Sequence, residues 1–144
     1  MATDCQFCHI VTGDADAHRL YEDEHTVAFL DSNPAVAGHT LVVPTAHRTD
    51  ILTATEQTVE AVFRTVRTVG TALDHVLDPD GFSVFHSTGT VVGNVEHAHV
   101  HLLPRYEDDE VTLSLARYEL PDDEGDRIAS QVRTVLSVES GGMP

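Results

Sequence analysis

The chain has 144 residues, 41% hydrophobic and 22% charged, a size and balance that fit one globular domain (residues 1–144) with a buried core and exclude a disordered chain. Its 24 acidic residues outweigh 8 basic ones, for a formal charge of -16, which excludes the basic stripes that hold DNA or RNA. No apolar run nears the ~20 residues of a membrane helix, and Met1 to Cys5 carries neither the basic nor the apolar stretch of a signal peptide, so no membrane partner and a cytoplasmic location are expected.

The elements follow in chain order. Residues 5–21 open with a cysteine pair and predict a short helix or turn around Ile10 to Asp14. Thr26 to Leu30 reads as a short buried strand, and Asp31 to Gly38, with Asn33-Pro34, as a loop. His39 to Pro44 reads as a second strand ended by its proline. Thr53-Ala54-Thr55-Glu56 fits a capping box, and Val59, Val62, Phe63, Val66, Leu73, Val76 and Leu77 recur at helical spacing after it. Asp78-Pro79-Asp80-Gly81 stops that helix. Strands are predicted at Phe82 to Phe85 and at Val95 to Leu103, followed by a solvated acidic run at Glu107 to Glu110. Ile128, Val132, Val135 and Leu136 predict a C-terminal helix. The order implies α+β, an antiparallel sheet with one long helix and a C-terminal helix.

All 8 basic residues are Arg, and Lys does not occur. Self-repulsion on this scale is large in dilute buffer and is screened at molar salt, where the Debye length is about 3 Å. A halophilic host is therefore expected. The melting midpoint should rise through a KCl series, and a midpoint that stays level overturns the idea.

His97, His99 and His101 alternate. In a strand, alternate residues share a face, with steps of two spanning roughly 6.6 Å, while Ala98, Val100 and Leu102 fill the other face. Imidazole serves as nucleophile, proton donor or metal ligand near neutral pH. The middle residue, His99, can have one ring nitrogen held by a fixed acceptor and the other free to attack phosphorus. A metal-only site, or a polar row on a solvated face, are the other readings of these residues.

The run His97-Ala98-His99-Val100-His101-Leu102-Leu103 resembles the signature of the histidine triad family. Asp4 to Cys8, Tyr21 to His25, Ala28 to Asp31, Asn33-Pro34 and Gly38 to Pro44 are similar to family segments, in order and at its spacing, across roughly residues 4–106. The resemblance implies a nucleotide hydrolase or nucleotidyltransferase acting at the α-phosphate of a nucleoside phosphoramidate, aminoacyl-adenylate or dinucleoside polyphosphate. His99 would form a covalent nucleotidyl-histidine that water then releases. His101 would contact the phosphate, His39 would support the triad, Asp31 would bind ribose hydroxyls, and Phe29 would wall the purine base. Protonated histidines and backbone amides are the expected positive sources in so acidic a chain. The resemblance also implies a homodimer, with helix 53–77 and an edge strand as contact surfaces. The chain departs from the family ahead of the triad: Asn94 stands at the usual hydroxyl residue, where it can still donate a hydrogen bond, and in an ungapped match Gly93 stands at the usual glutamine and His86 at a ribose-binding asparagine, whereas a one-residue deletion would align Gly93 with the family glycine. A nucleotide-binding regulatory module without turnover, or a zinc-stabilised scaffold, are the competing functions.

Cys5 and Cys8 are the only cysteines. Their spacing lets two thiolates grip one zinc ion, and a tetrahedral site needs two further ligands; a redox pair or two free thiols are the alternatives. The resemblance implies His47 and His97 as those ligands, in a closed structural site. His9, His18, His25 and His75 are expected at the surface.

Overall fold

The computed structural model describes residues 5–89 and 95–139. Its elements run α1 (Gln6–Thr12), β1 (Arg19–Glu22), β2 (Thr26–Leu30), β3 (Thr40–Pro44), α2 (Glu56–Leu77), β4 (Gly81–Phe85), β5 (Val100–Arg105) and α3 (Asp122–Glu139). The five strands form one antiparallel sheet in the order β1-β2-β3-β5-β4. The α+β reading holds. Two compact units divide the chain after Val111; α3 belongs to the second, and the sheet and α2 to the first.

Strand register builds the two faces of the sheet. Phe29 pairs with Leu41, Leu41 with His101, and His101 with Phe85. This cross-strand row lies on one face, because side chains alternate along each strand. The neighbouring row, Ala28, Val42 and Val100, points the other way and packs with Val62, Val66, Val69 and Leu73 of α2 in one buried cluster. On that side the Thr26 hydroxyl meets the Thr65 hydroxyl at 2.6 Å, so neither buried polar group is left unpaired. On the opposite side, Phe7 of α1 joins Val27, Phe29, Leu41 and Val43 in a second cluster.

Several boundaries differ from the sequence reading. α2 is capped by Thr55, whose hydroxyl accepts from the Thr58 amide at 3.2 Å. Thr53 instead sits in a turn where its amide donates to Asp50, so the capping box that begins two residues earlier is corrected. α1 starts at Gln6 rather than near Ile10. β1 is an additional edge strand with half its residues exposed. α2 ends at Asp78, which adopts φ 49° in the left-handed region.

The loop between β2 and β3 is drawn tight. Asp31 Oδ1 accepts from the Asn33 amide at 2.9 Å, and the Asp31 amide donates to the His39 carbonyl at 2.9 Å. Gly38 closes the loop at φ 93°, where a Cβ would lie 2.6 Å from Leu77 Cδ1 and 2.9 Å from Pro104 Cγ. Gly38→Ala is expected to cost about 1–3 kcal/mol through combined backbone strain and overpacking; an unchanged denaturation midpoint would contradict this.

Candidate active site

β5 begins at Val100, so of the three alternate histidines only His101 lies in the strand. The expected start at Val95 is corrected. Its partner β3 pairs with β5 only from Thr40 to Val42. Further along, the Pro44 carbonyl is taken by a side chain: His97 Nε2 donates to it at 2.9 Å. The alternation survives outside the ladder. Ala98, Val100 and Leu102 are buried, whereas His99 and His101 are half-buried. His97 is fully buried.

Hydrogen bonds set each tautomer. A carbonyl oxygen only accepts. His99 Nδ1 lies 2.8 Å from the His97 carbonyl, so Nδ1 carries the proton and donates, and Nε2 keeps its lone pair. Phe7 packs edge-on against the His99 ring at 5.1 Å. His39 Nδ1 accepts from the Ala35 amide at 3.0 Å, so neutral His39 carries its proton on Nε2. That proton is donated to His101 Nδ1, 2.9 Å away. His101 is therefore left with an N–H on Nε2, a neutral donor. Phe85 stacks on its ring at 4.4 Å and 15°.

Burial pushes the His101 pKa down to about 4, and the neighbouring His99 and His39 add to the shift. Burial also lowers His39, partly offset by Asp31, whose Oδ2 lies 3.5 Å from His39 Nε2. The expectation of protonated histidines is thus corrected for these two: they act as neutral donors. The pH consequence has a definite sign. Folded His101 takes its proton near pH 4, whereas an unfolded histidine does so near pH ~6.5. Between those values the unfolded chain binds more protons, so stability falls as pH is lowered through that window. The melting midpoint should drop steadily from pH 7 to pH 4, and a flat profile contradicts the assignment. In the same way, His39→Phe removes the donor that orients His101. It is expected to lower turnover roughly 10- to 100-fold, the value of one buried hydrogen bond in the reaction, and to change the pH–rate profile, which a purely structural role would leave unmoved.

A second cluster lies beside the triad. His97 Nδ1 faces Cys5 Sγ at 3.3 Å and Cys8 Sγ at 3.5 Å, and His47 Nδ1 lies 3.3 Å from Cys8 Sγ. The four ligand atoms lie within 4.8 Å of one another. Because His97 Nε2–H is committed to the Pro44 carbonyl, its Nδ1 lone pair points at the sulfurs, the arrangement seen for metal-bound histidines. Burial, with the hydrogen bond and charge of Cys5, pushes the Cys8 thiol up to about 11; a divalent cation between the sulfurs reverses that balance. The donor set fits zinc. Asp31, His39 and His101 also lie within reach of a common point. There the proton on His39 Nε2 occupies the position a metal would need, so that trio is a hydrogen-bond relay.

The cross-strand row forms the floor of a cleft of about 1060 Å³. Phe29, Leu41, His101 and Phe85 line it with His99 and Asp31, and Phe7 closes one side. The residues expected at the nucleotide divide as follows. Phe29 and Asp31 line the cleft, and His39 stands behind it against His101. His86 turns away, its Nε2 accepting from the Ile51 amide at 3.2 Å, and is not among the lining residues. Asn94 and Gly93 lie outside the described residues. His18, His25 and His75 are exposed as expected, His18 at the rim of the cleft, whereas His9 is half-buried and lines it. Phe7 and Phe85 are site residues that the sequence motifs miss. The alternation of Phe82 to Phe85 was a usable signal for Phe85, since it fixes which strand residues share a face. None of the 5 arginines before Val111 lines the cleft, while Asp14, Asp16 and Asp31 do.

A model of the HIT domain matches residues 12–108. The chain belongs to the HIT family. This HIT protein is similar to SMU.412c of Streptococcus mutans UA159, with a TM-score of 0.90 and 32% identity over 94% of this chain and 87% of that one. It is 32% identical over 140 residues to adenylylsulfatase HINT3 of Arabidopsis thaliana, covering 94% of this chain and 71% of that protein. It also matches a Zn-bound histidine triad family protein from Mycobacterium smegmatis, with a TM-score of 0.72 and 31% identity over 96% and 99% of the two chains. No helix among the described residues of this HIT protein is long and apolar enough to cross a membrane.

Proposed function

We propose that this HIT protein is a nucleotide hydrolase or nucleotidyltransferase acting at the α-phosphate of a nucleoside phosphoramidate, aminoacyl-adenylate or dinucleoside polyphosphate. The observation that carries the reading is the His99 Nδ1 hydrogen bond to the His97 carbonyl, 2.8 Å, which leaves Nε2 unprotonated at the cleft. Phe29 walls the purine base and Asp31 accepts from ribose hydroxyls. His99 Nε2 attacks the α-phosphorus, a phosphorus–nitrogen bond forms, and the bond to the leaving group breaks with its electron pair. His101 Nε2–H donates to a non-bridging phosphate oxygen and stabilises the charge gathering there. Water then attacks the phosphorus, releases the nucleoside monophosphate and returns His99 to its starting form. Cys5, Cys8, His47 and His97 would hold zinc, whose contribution is to anchor the segment that carries the nucleophile. We extend the proposal to a single domain over residues 1–144, a homodimer and a cytoplasmic setting.

The test is incubation with adenosine 5′-phosphoramidate at high salt, followed by acid-free mass analysis. Turnover with a nucleotidyl adduct mapped to His99 is the expected result. Tight nucleotide binding with neither turnover nor adduct would instead identify a regulatory module, and absence of nucleotide binding a scaffold.

A further inference from the structure

One residue joins the candidate metal set to the nucleophile. The His97 ring faces both sulfurs, and the carbonyl of the same residue accepts the His99 Nδ1 proton. The two halves of the metal set differ in access. His97 is buried and Cys5 nearly so, whereas Cys8 is half-buried and His47 exposed, so solutes reach the cluster from the Cys8 side. The Cys8 amide donates to Cys5 Sγ at 3.2 Å, holding the first sulfur over the turn that carries the second. Residues three apart on a helical turn have Cα atoms roughly 5 Å apart, inside the range a disulfide spans. With no third cysteine in the chain, each thiol has only the other as an internal partner.

We propose that Cys5 and Cys8 form a redox modification site: a peroxide-class oxidant converts the pair to an intramolecular disulfide, expels the metal, and removes the brace on His97 that orients His99. The inference rests on the metal set proposed above. In the reaction the two zinc-bound thiolates lose two electrons and form one sulfur–sulfur bond. Hydrogen peroxide gains those electrons, breaks its oxygen–oxygen bond and, with two protons from solvent, leaves as two waters; zinc departs as the free divalent ion. A thiol reductant with added zinc reverses the change. Without the metal, His97 keeps its bond to Pro44 but loses its contacts on the opposite side of the ring. Its carbonyl then no longer holds His99 to the geometry that in-line attack requires.

The experiment uses the full chain as purified with its metal. Hydrogen peroxide is added in small equivalents and quenched with catalase. Released zinc is read with a chromophoric indicator, thiols by titration, and the crosslink by peptide mapping. The expected result is one zinc released for every two thiols lost, a Cys5–Cys8 crosslinked peptide, and a fall in turnover on the order of 100-fold, all restored by dithiothreitol plus zinc. A Cys8→Ser variant should give no crosslink and no reductant-reversible step. Retained zinc and intact thiols under peroxide that oxidises glutathione overturn the inference, as do sulfinic acids in place of the crosslink, or a crosslinked protein with unchanged turnover. Purified protein without zinc overturns it together with the metal reading. Protein with no turnover before oxidation fails the functional reading alone, because the zinc and thiol measurements still stand.

Discussion

His99→Ala should abolish nucleotide release, with kcat/KM falling on the order of 10⁴-fold or more, as expected when a covalent nucleophile is removed. The tautomer of His99 decides this. The His97 carbonyl fixes the proton on His99 Nδ1, so Nε2 is the only ring nitrogen with a lone pair to offer phosphorus. Of its neighbours in the cleft, His101 presents an N–H rather than a lone pair. His101→Ala should cost less, about 10²- to 10³-fold, the usual loss when one transition-state donor is removed. The order of the two effects is the discriminating measurement in single-turnover kinetics. If His99→Ala forms adduct at the parent rate, or if His101→Ala is the more damaging change, the assigned roles are reversed or wrong.

Stripping the metal should lower the melting midpoint by roughly 10 °C. A ligand present at about a thousand times its dissociation constant stabilises the folded state by about 4 kcal/mol, and in a domain of this size each kcal/mol moves the midpoint about 2–4 °C. The ligands explain why the loss is global. Cys5 and Cys8 belong to the segment around α1, His47 to the loop after β3, and His97 to the approach to β5, so one ion held there would tie together parts of the chain separated by up to 92 residues. The Ala98 amide also donates to the Arg48 carbonyl at 2.6 Å, which binds the His47 loop to the triad segment independently of any ion. His47→Ala should reproduce most of the effect at one accessible ligand. Metal analysis and calorimetry on the same samples decide the matter: close to one zinc per chain, lost together with the midpoint. An equal midpoint for stripped and loaded protein rules out a structural ion.

Much of this arrangement is legible in the sequence. β2 matches the expected Thr26 to Leu30, and β3 differs from its expected span only at His39, because short β-branched runs bounded by Asp31, Gly38 and Pro44 leave few alternatives. α2 was legible from its periodic apolar face and its stop at Asp78. The errors have physical causes. Thr53 and Thr55 are both competent caps, and the choice was made by Asp50, which engages Thr53 in a turn. β1 alternates half-buried and exposed residues at a sheet edge, so its sequence, Arg19-Leu20-Tyr21-Glu22, carries no strong apolar signal. The start of β5 depends on where β3 stops pairing, a long-range fact. The family resemblance sets His86 at the nucleotide, whereas its partner in the structure, the Ile51 amide, lies 35 residues away and leaves no trace in local pattern. The half-buried position of His9 in the cleft likewise follows from how α1 packs beside the sheet.

The cross-strand row from Phe29 through Leu41 and His101 to Phe85 has a further consequence. Core and cleft are printed on opposite sides of the same strands, one residue out of phase. A single-residue insertion within β3 would therefore exchange them, sending Val42 toward solvent and Leu41 toward α2. Mutational drift can edit the rim of such a cleft freely, but indels in β3 are barred twice over, once by the interior and once by the chemistry. The turnover proposed for this cleft would then report strand alignment: a reduced, metal-loaded sample that refolds to its helical signal without that turnover is expected to have mispaired strands.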